Sequence, residues 1–484
     1  MIIKGGGFKM AEVNQNVVEY VTGLVERARK AQKIAEEYTQ ERVDELTAAV
    51  AYNGTRPDFA RKLAYFAAEE SGMGYGEDKI GKIYTKVKGA YRDMKGEKSV
   101  GIVERDEKKG IIKIAKPMGV IAGIVPCTNP EATPFVKAIC ALKTRNAIIL
   151  APHPRTRKTN VMAVDNIRAT LRKYGAPEDL VISIDPEMVS IETSGELMRQ
   201  VDFIVATGGG GLVRAAYSSG TPAIGVGAGN ATTIVDGTTD LRNVANMIMR
   251  SKTFDQATSC STENNCVVNA EVYDEFMKCL EAEGAYIIKE GSEEKQKLLK
   301  TMWPEFPERR VLNRHIVAQP AKKIAELAGI DLPEGKTFIA VEETGIGPDY
   351  PFSGEKLSIV TTIHKYNTFD EAVDKVCQIL EFEGKGHSCG IHTTLDYRVL
   401  HLAEKAKASR MVVNQAQCLA NSGAWTNGLP MSMTLGCSTW GGNSVSHNVT
   451  WKDYLNYTYV SYPIPSTQPT DEELFDEAIR KANE

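Results

Sequence analysis

No apolar run in the 484-residue chain reaches the roughly 18 residues that a membrane-crossing helix needs. The amino terminus lacks the charged-then-apolar order of a secretory signal. Nine cysteines in so long a chain form no regular framework of the kind that staples secreted domains, and fit a reducing compartment better. A large excess of either charge is also missing. The 58 Lys+Arg stand against 62 Asp+Glu, giving a net charge of −4, which excludes the basic field that nucleic-acid binding requires. These absences leave a soluble, cytoplasmic protein without membrane or nucleic-acid partners, long enough for two or three domains.

The first nine residues, MIIKGGGFK, contain three successive glycines that cannot support a helix, whereas a helical pattern begins at Met10, which is a candidate for the true start. Val17, Val18, Val21, Leu24 and Val25 then recur at helical spacing, and AYNGTRP (51–57) supplies a stop. From residue 119 onward, short apolar runs alternate with helical stretches. The strand candidates are GVIAGIVP (119–126), AIILAP (147–152), LVISID (180–185), DFIVAT (202–207), AIGV (223–226) and TTIVD (232–236). TPFVKAICALKTRN and NVMAVDNIRATLRKYG read as helices between them. This is the pattern of a parallel sheet covered on both faces, so the fold class is α/β with a Rossmann-like half. A second alternation, from about 238 to 425, includes strands at CVVNAEV and RMVVNQ and a helix at TFDEAVDKVCQILEF.

Cys260 lies in SKTFDQATSCSTENN, among hydroxyls and small residues, after a helix and before a strand. A thiolate there could attack a carbonyl and leave again as a thioester; a buried structural cysteine is the competing reading. TGGGGLVRAAY (207–217) follows a strand and opens a helix, so its amides could face a phosphate, or simply form a tight turn. GVGAGN (225–230) fails the dinucleotide fingerprint, because Asn230 stands where the third glycine belongs and a strand follows. Arg155, Arg157 and Lys158 cluster in APHPRTRKT, where an anion could be held or where a helix simply starts in solvent. His387 and His392 lie five apart with no carboxylate between, a poor metal spacing, and no metal site is expected.

SKTFDQATSCSTENNCVV, VIAGIVPCTNPEATP, LKTRNAIILAPHPR, VATGGGG, GVGAGN, GEKLSIV, GKGHSCGIH and LGCSTWGGNS, in this order along the molecule apart from the first, resemble the aldehyde dehydrogenase superfamily, specifically its coenzyme A-acylating branch. The resemblance covers nearly the whole chain. It implies a Rossmann-like cofactor domain over 10–228 with return of the chain near 426–450, an α/β catalytic domain over 229–425, and a C-terminal strand at 451–465 in a small oligomerisation sheet. A homodimer or homotetramer follows.

The same resemblance implies site residues. Cys260 becomes the nucleophile, and Asn129 or Thr128 the side-chain donor to the oxyanion, beside the Cys260 backbone N–H. His387 could assist deprotonation of coenzyme A, or be a hydrogen-bonded structural histidine. Pro126, His153, Arg155, Lys158, Gly208, Gly209, Glu355 and Leu357 fall at cofactor-binding positions, Glu355 toward the nicotinamide ribose. The usual acidic ribose clamp is replaced at Ala151 and Pro154, so the basic cluster leans the cofactor from NAD toward NADP, with coenzyme A as cosubstrate. Hydrolytic members activate water with a glutamate, and Val226 aligns with it. Without that acceptor, a thiol should take the acyl group more readily than water.

The expected activity is reversible oxidation of a short aldehyde (sulfoacetaldehyde, succinate semialdehyde or acetaldehyde) to its acyl-coenzyme A. Polar QATSC and QAQCLANSG segments favour an anionic one. Two other readings stand beside it: a hydrolytic dehydrogenase with a displaced base, opposed by Val226, and a nucleotide-binding protein without catalysis, opposed by Cys260 and Glu355.

Overall fold

The computed structural model describes residues 14–484. The glycine-rich start and the reading of Met10 lie outside the described residues. Asn14 caps the first helix, Gln15–Ala35, with its side chain accepting from the Asn16 N–H, and Val17, Val21, Leu24, Val25 and Ala28 form its buried stripe. The second helix ends at Gly54, and Pro57 opens the third at the position where its missing N–H costs nothing.

Two parallel sheets carry the molecule. The first has five strands in the spatial order Val181–Ser183, Ala147–Pro152, Val120–Val125, Phe203–Thr207, Ala223–Val226. Its two long central strands are buried at every position, which is why they read as unbroken apolar runs rather than alternations. The chain steps outward from Val120–Val125 and returns to its other side with Phe203–Thr207, creating a switch point between these neighbours. Lys137, on helix Thr133–Lys143, closes the seam by donating to the Ile124 and Val205 carbonyls, each at 2.7 Å. Each Val, Ile or Leu buried here contributes on the order of 1.5–3 kcal/mol.

The second sheet has seven parallel strands in the order Ala285–Ile288, Phe338–Glu342, Val360–Tyr366, Asn265–Asn269, Thr232–Val235, Cys389–His392, Met411–Val413. TTIVD therefore belongs to this sheet, and the chain crosses from one sheet to the other within residues 227–231. TFDEAVDKVCQILEF folds as helix Phe369–Phe382, capped by Thr368.

A third, antiparallel sheet joins Gly101–Asp106, Ile111–Pro117 and Leu455–Ser461. The strand expected over 451–465 is shorter than the aromatic alternation suggests. Thr450 and Asp453 form a reciprocal cap that winds Trp451–Tyr454 into a helical turn, and the extended pairing stops at Ser461, before Pro463. Among the described residues, no helix is long and apolar enough to cross a membrane.

The arrangement of edges fixes the site. Loops leaving the C-terminal edge of the five-stranded sheet, at 126–129 and 227–231, meet loops entering the N-terminal edge of the seven-stranded sheet, at 258–264, 353–359 and 384–388. Cys260, Glu355 and His387 all come from that second set.

Candidate active site

Helix Leu241–Thr253 ends abruptly, and Asp255, Gln256 and Ala257 follow in left-handed conformation, with φ of 48°, 54° and 58°. A run of three such non-glycine residues costs roughly 1–2 kcal/mol per residue, so neighbouring contacts must hold it. The buried Asp255 carboxylate provides them: it accepts from the Tyr75 N–H at 2.6 Å and the Thr258 hydroxyl at 2.7 Å, and pairs with Lys79 at 3.0 Å and with Lys82. Burial alone would raise its pKa, but Lys82 and Lys79 override that and hold the carboxyl below its usual range. The turn delivers Thr258, Ser259 and Cys260 to the edge of the sheet. On the other side, a Cβ at Gly229 would fall on the Cys260 carbonyl, so glycine is required there.

Cys260 Sγ lies 3.0 Å from His387 Nε2, and His387 Nδ1 lies 2.8 Å from the Ser388 hydroxyl. Burial, followed by the neighbouring Glu355, pushes the thiol pKa up, while burial and then Arg410 push His387 down to about 3. The resting pair is therefore a neutral thiol beside a neutral imidazole. Nε2 can accept the thiol proton when Nδ1 carries the ring hydrogen and donates to Ser388. Arg410 donates to the His387 carbonyl at 2.9 Å and fixes the loop.

The two oxyanion candidates differ in their contacts. Asn129 receives a hydrogen bond from Lys82 Nζ at 2.7 Å, and an ammonium can only donate, so the oxygen of the amide is assigned to that side. Its NH2 group points away, toward the Thr128 hydroxyl at 3.2 Å. Thr128 acts there as acceptor, and its carbonyl takes a bond from Lys79 at 3.3 Å. Val226 is buried in a small cluster with Leu435 and Cys437.

Glu355 accepts from the Gly229 N–H at 3.1 Å, and its own N–H donates to Glu383, which pairs with Arg310 at 2.7 Å. Burial, with Glu383 second, raises its pKa to about 8. Leu357, two residues on, has φ of 42° and is held by its carbonyl accepting from the Ala318 N–H. A cleft of about 580 Å³ runs from Gly210, Val213 and Arg214 to Gly227, Lys385 and Cys437. Gly209 caps helix Gly210–Tyr217 without any side-chain bond, and a Cβ at Gly209 or Gly211 would meet open space. Pro126 is partly buried at the strand end, whereas His153, Arg155 and Lys158 are exposed. His153 Nδ1 accepts from the Arg155 N–H at 3.1 Å.

Sequence reading missed two features. Glu70, from helix Pro57–Ser71, accepts from the Lys158 and Thr159 N–H groups at 2.8 and 2.7 Å, so amides in the first turn of helix Arg157–Lys173 are taken by the protein's own carboxylate. Lys79, Lys82 and Lys86 are buried beside the site, although their helix looks like any charged surface segment. Their spacing of three and four residues was the available signal.

The aldehyde dehydrogenase family model matches residues 6–298, and the chain belongs to that family. Sulfoacetaldehyde dehydrogenase of an Acholeplasma species is 43% identical over 463 residues, covering 95% of this chain and 94% of that protein. The acylating sulfoacetaldehyde dehydrogenase of Bilophila wadsworthia is 44% identical over 465 residues, covering 95% and 99%. The acetylating succinate-semialdehyde dehydrogenase of Clostridium kluyveri is 38% identical over 442 residues, covering 91% and 95%. Among solved structures, an acetylating aldehyde dehydrogenase from Geobacillus thermoglucosidasius superimposes with a TM-score of 0.89 at 35% identity, covering 95% and 100%. A Rhodopseudomonas palustris propionaldehyde dehydrogenase with bound coenzyme A and an acylated cysteine gives 0.82 at 25% identity, covering 91% and 97%.

Proposed function

We propose that this coenzyme A-acylating aldehyde dehydrogenase converts sulfoacetaldehyde, coenzyme A and NAD(P) to sulfoacetyl-coenzyme A, with Cys260 as the acyl carrier. The observation that carries the acylating reading is Val226, buried in an apolar patch where a hydrolytic relative presents a carboxylate. Relatives that act on sulfoacetaldehyde, at 43 and 44% identity, support the substrate.

The residues fit a dinucleotide: Glu355 lies beside Cys260, held by the Gly229 N–H, and the uncapped start of helix Gly210–Tyr217 opens onto the cleft. When bound, the dinucleotide accepts a hydride from the substrate carbon. Cys260 passes its proton to His387 Nε2 and adds to the aldehyde carbonyl. The oxyanion is held by the Cys260 N–H and Asn129 Nδ2, and Lys82 keeps that amide oriented. Loss of hydride leaves a thioester on Cys260. His387, returned to its neutral form, takes the proton of the coenzyme A thiol, which attacks the thioester and releases Cys260. Exchange between thioesters is nearly balanced in energy, so the step runs in both directions.

We place the cofactor domain at residues 10–228 with 426–450, the catalytic domain at 229–425, and an oligomerisation strand within 451–465, whose open edge suits a homodimer or homotetramer. Nine free thiols suit the cytoplasm. The test is a product assay with NAD(P) and sulfoacetaldehyde. Acyl-coenzyme A should form only when coenzyme A is supplied, whereas free sulfoacetate formed at the same rate without it would support the hydrolytic alternative.

A further inference from the structure

Helix Gly76–Lys82 passes through a π-helical turn, Ile83–Val87, into helix Lys88–Met94. Such wide turns are uncommon and recur at functional sites. Along this segment Lys79, Lys82 and Lys86 are 0%, 5% and 8% exposed, three lysines withdrawn from water within eight residues. The first two are compensated. Lys79 pairs with Asp255 at 3.0 Å and with Glu131 at 3.7 Å, and Lys82 shares Asp255. Lys86 forms no ion pair among the described residues. Its ammonium donates to the Gly423 carbonyl at 2.8 Å and the Ser422 carbonyl at 3.2 Å, with Met431 Sδ at 3.9 Å.

A buried ammonium met only by neutral acceptors leaves a desolvation cost that an anion would offset. Its surroundings connect it to the chemistry. Cys418 feels the charge of Lys82 and Lys86, and its own N–H donates to the Ser251 hydroxyl at 2.9 Å, at the end of the helix that leads into the Cys260 loop. Lys82 contacts both Asn129, at 2.7 Å, and Thr258, at 2.6 Å. The lysine row thus starts at the oxyanion amide and ends at an uncompensated positive charge. Burial lowers the Lys86 pKa to about 8, which leaves the group mostly protonated at neutral pH.

We infer that Lys86, with Lys82 leading to it, is the subsite for the anionic tail of the aldehyde, a sulfonate or carboxylate one or two carbons from the reacting carbonyl. This rests on the acylating aldehyde reading and names what would select the substrate. Lys86 is then a specificity-determining residue: its charge stabilises bound substrate and transition state alike, and it takes no part in thioester formation.

The experiment compares sulfoacetaldehyde, succinate semialdehyde and acetaldehyde at saturating coenzyme A and NAD(P). In Lys86→Met, the ratio of kcat/KM for sulfoacetaldehyde over acetaldehyde should fall at least tenfold, chiefly through KM, and Lys86→Arg should restore most of it. A like fall for succinate semialdehyde would extend the subsite to carboxylates, whereas a fall for the sulfonate alone restricts it. Equal losses on charged and neutral aldehydes would overturn the assignment. Should Lys86→Met fail to fold, the unmodified enzyme gives a second reading: ethanesulfonate should compete with acetaldehyde, and the neutral ethyl methyl sulfone should not. Absence of competition by ethanesulfonate would also overturn it. Acetaldehyde oxidation by the unmodified enzyme that is independent of coenzyme A would instead contradict the acylating reading, with the charge ratio still measurable.

Discussion

Around Cys260 the glycines at 229 and 386 are compressed, whereas those of the TGGGG loop at 209–211 face open space. A Cβ at Gly229 would fall on the Cys260 carbonyl, and one at Gly386, where φ is +86°, on the Cys437 carbonyl. At Gly209 and Gly211 nothing lies within 4 Å, and Gly208 would touch only the flexible tip of Leu212. The same residue type therefore serves two ends. In the first region it lets three backbone segments close on one thiol, which fixes Cys260 within hydrogen-bond reach of His387. In the second it leaves amides uncovered at a helix start facing the cleft. Glycine content alone does not distinguish them; what surrounds each Cα does.

The compressed region is broken most severely at its centre. Cys260→Ser should lower aldehyde oxidation by about a thousandfold or more while leaving the circular dichroism spectrum unchanged, because a serine hydroxyl is a much weaker nucleophile beside this imidazole. Cys266→Ser, in the adjoining strand, serves as the control for general damage and should retain most activity. Normal turnover by Cys260→Ser would remove that residue from the reaction.

Gly229→Ala and Gly211→Ala sharpen the comparison directly. The first forces the Cys260 carbonyl to move and should cost roughly 1–3 kcal/mol in chemical denaturation, with a loss of more than about tenfold in kcat/KM. The second adds a methyl group in open space within a helix and should change stability by no more than about 1 kcal/mol, in the stabilising direction. Similar losses from both would erase the distinction.

A smaller effect tests the electrostatics of the compressed site. A negative charge on Glu355 raises the Cys260 thiol pKa, and Glu355 itself titrates at about 8. Glu355→Gln removes that charge, so the pH profile of Cys260 alkylation by iodoacetamide should move to lower pH. The gap from the unmodified enzyme should widen above pH 8, where Glu355 would be ionised. A profile that stays in place or moves to higher pH would contradict this coupling.

The smallest expected effect lies at the open rim. Arg155→Ala should weaken NADP more than NAD if its exposed guanidinium meets a 2′-phosphate, and exposure limits the loss to severalfold. Glu70, whose carboxylate occupies the neighbouring helix start, opposes a second negative charge there. Glu70→Gln should therefore shift preference toward NADP. Equal changes in the dissociation constants of both cofactors for Arg155→Ala would assign that residue to structure or to coenzyme A.

Much of this comparison was legible in the linear sequence. The strand AIILAP coincides with Ala147–Pro152, and the helix read at TFDEAVDKVCQILEF with Phe369–Phe382, because unbroken apolar runs and helical periodicity are local signals. Cys260 stood out through its neighbours. The burial of Lys79, Lys82 and Lys86 did not, since a lysine-rich helix normally faces water and only tertiary packing against residues 255–258 and 418–423 buries this one. The left-handed turn at Asp255–Ala257 was also hidden, because it is held by carboxylate contacts from residues about 175 positions away in sequence. The hydrogen bond from Lys82 to Asn129, which distinguishes the surroundings of that amide from those of Thr128, is a tertiary contact that no alignment of letters displays.

Pre-steady-state formation of reduced nicotinamide, with and without coenzyme A, tests the central claim most directly. Without coenzyme A, the account predicts a burst of about one equivalent per active site and then a very slow rate, as the thioester on Cys260 waits for a thiol. Adding coenzyme A should restore turnover at once. Rapid, sustained formation of free acid without coenzyme A would contradict it.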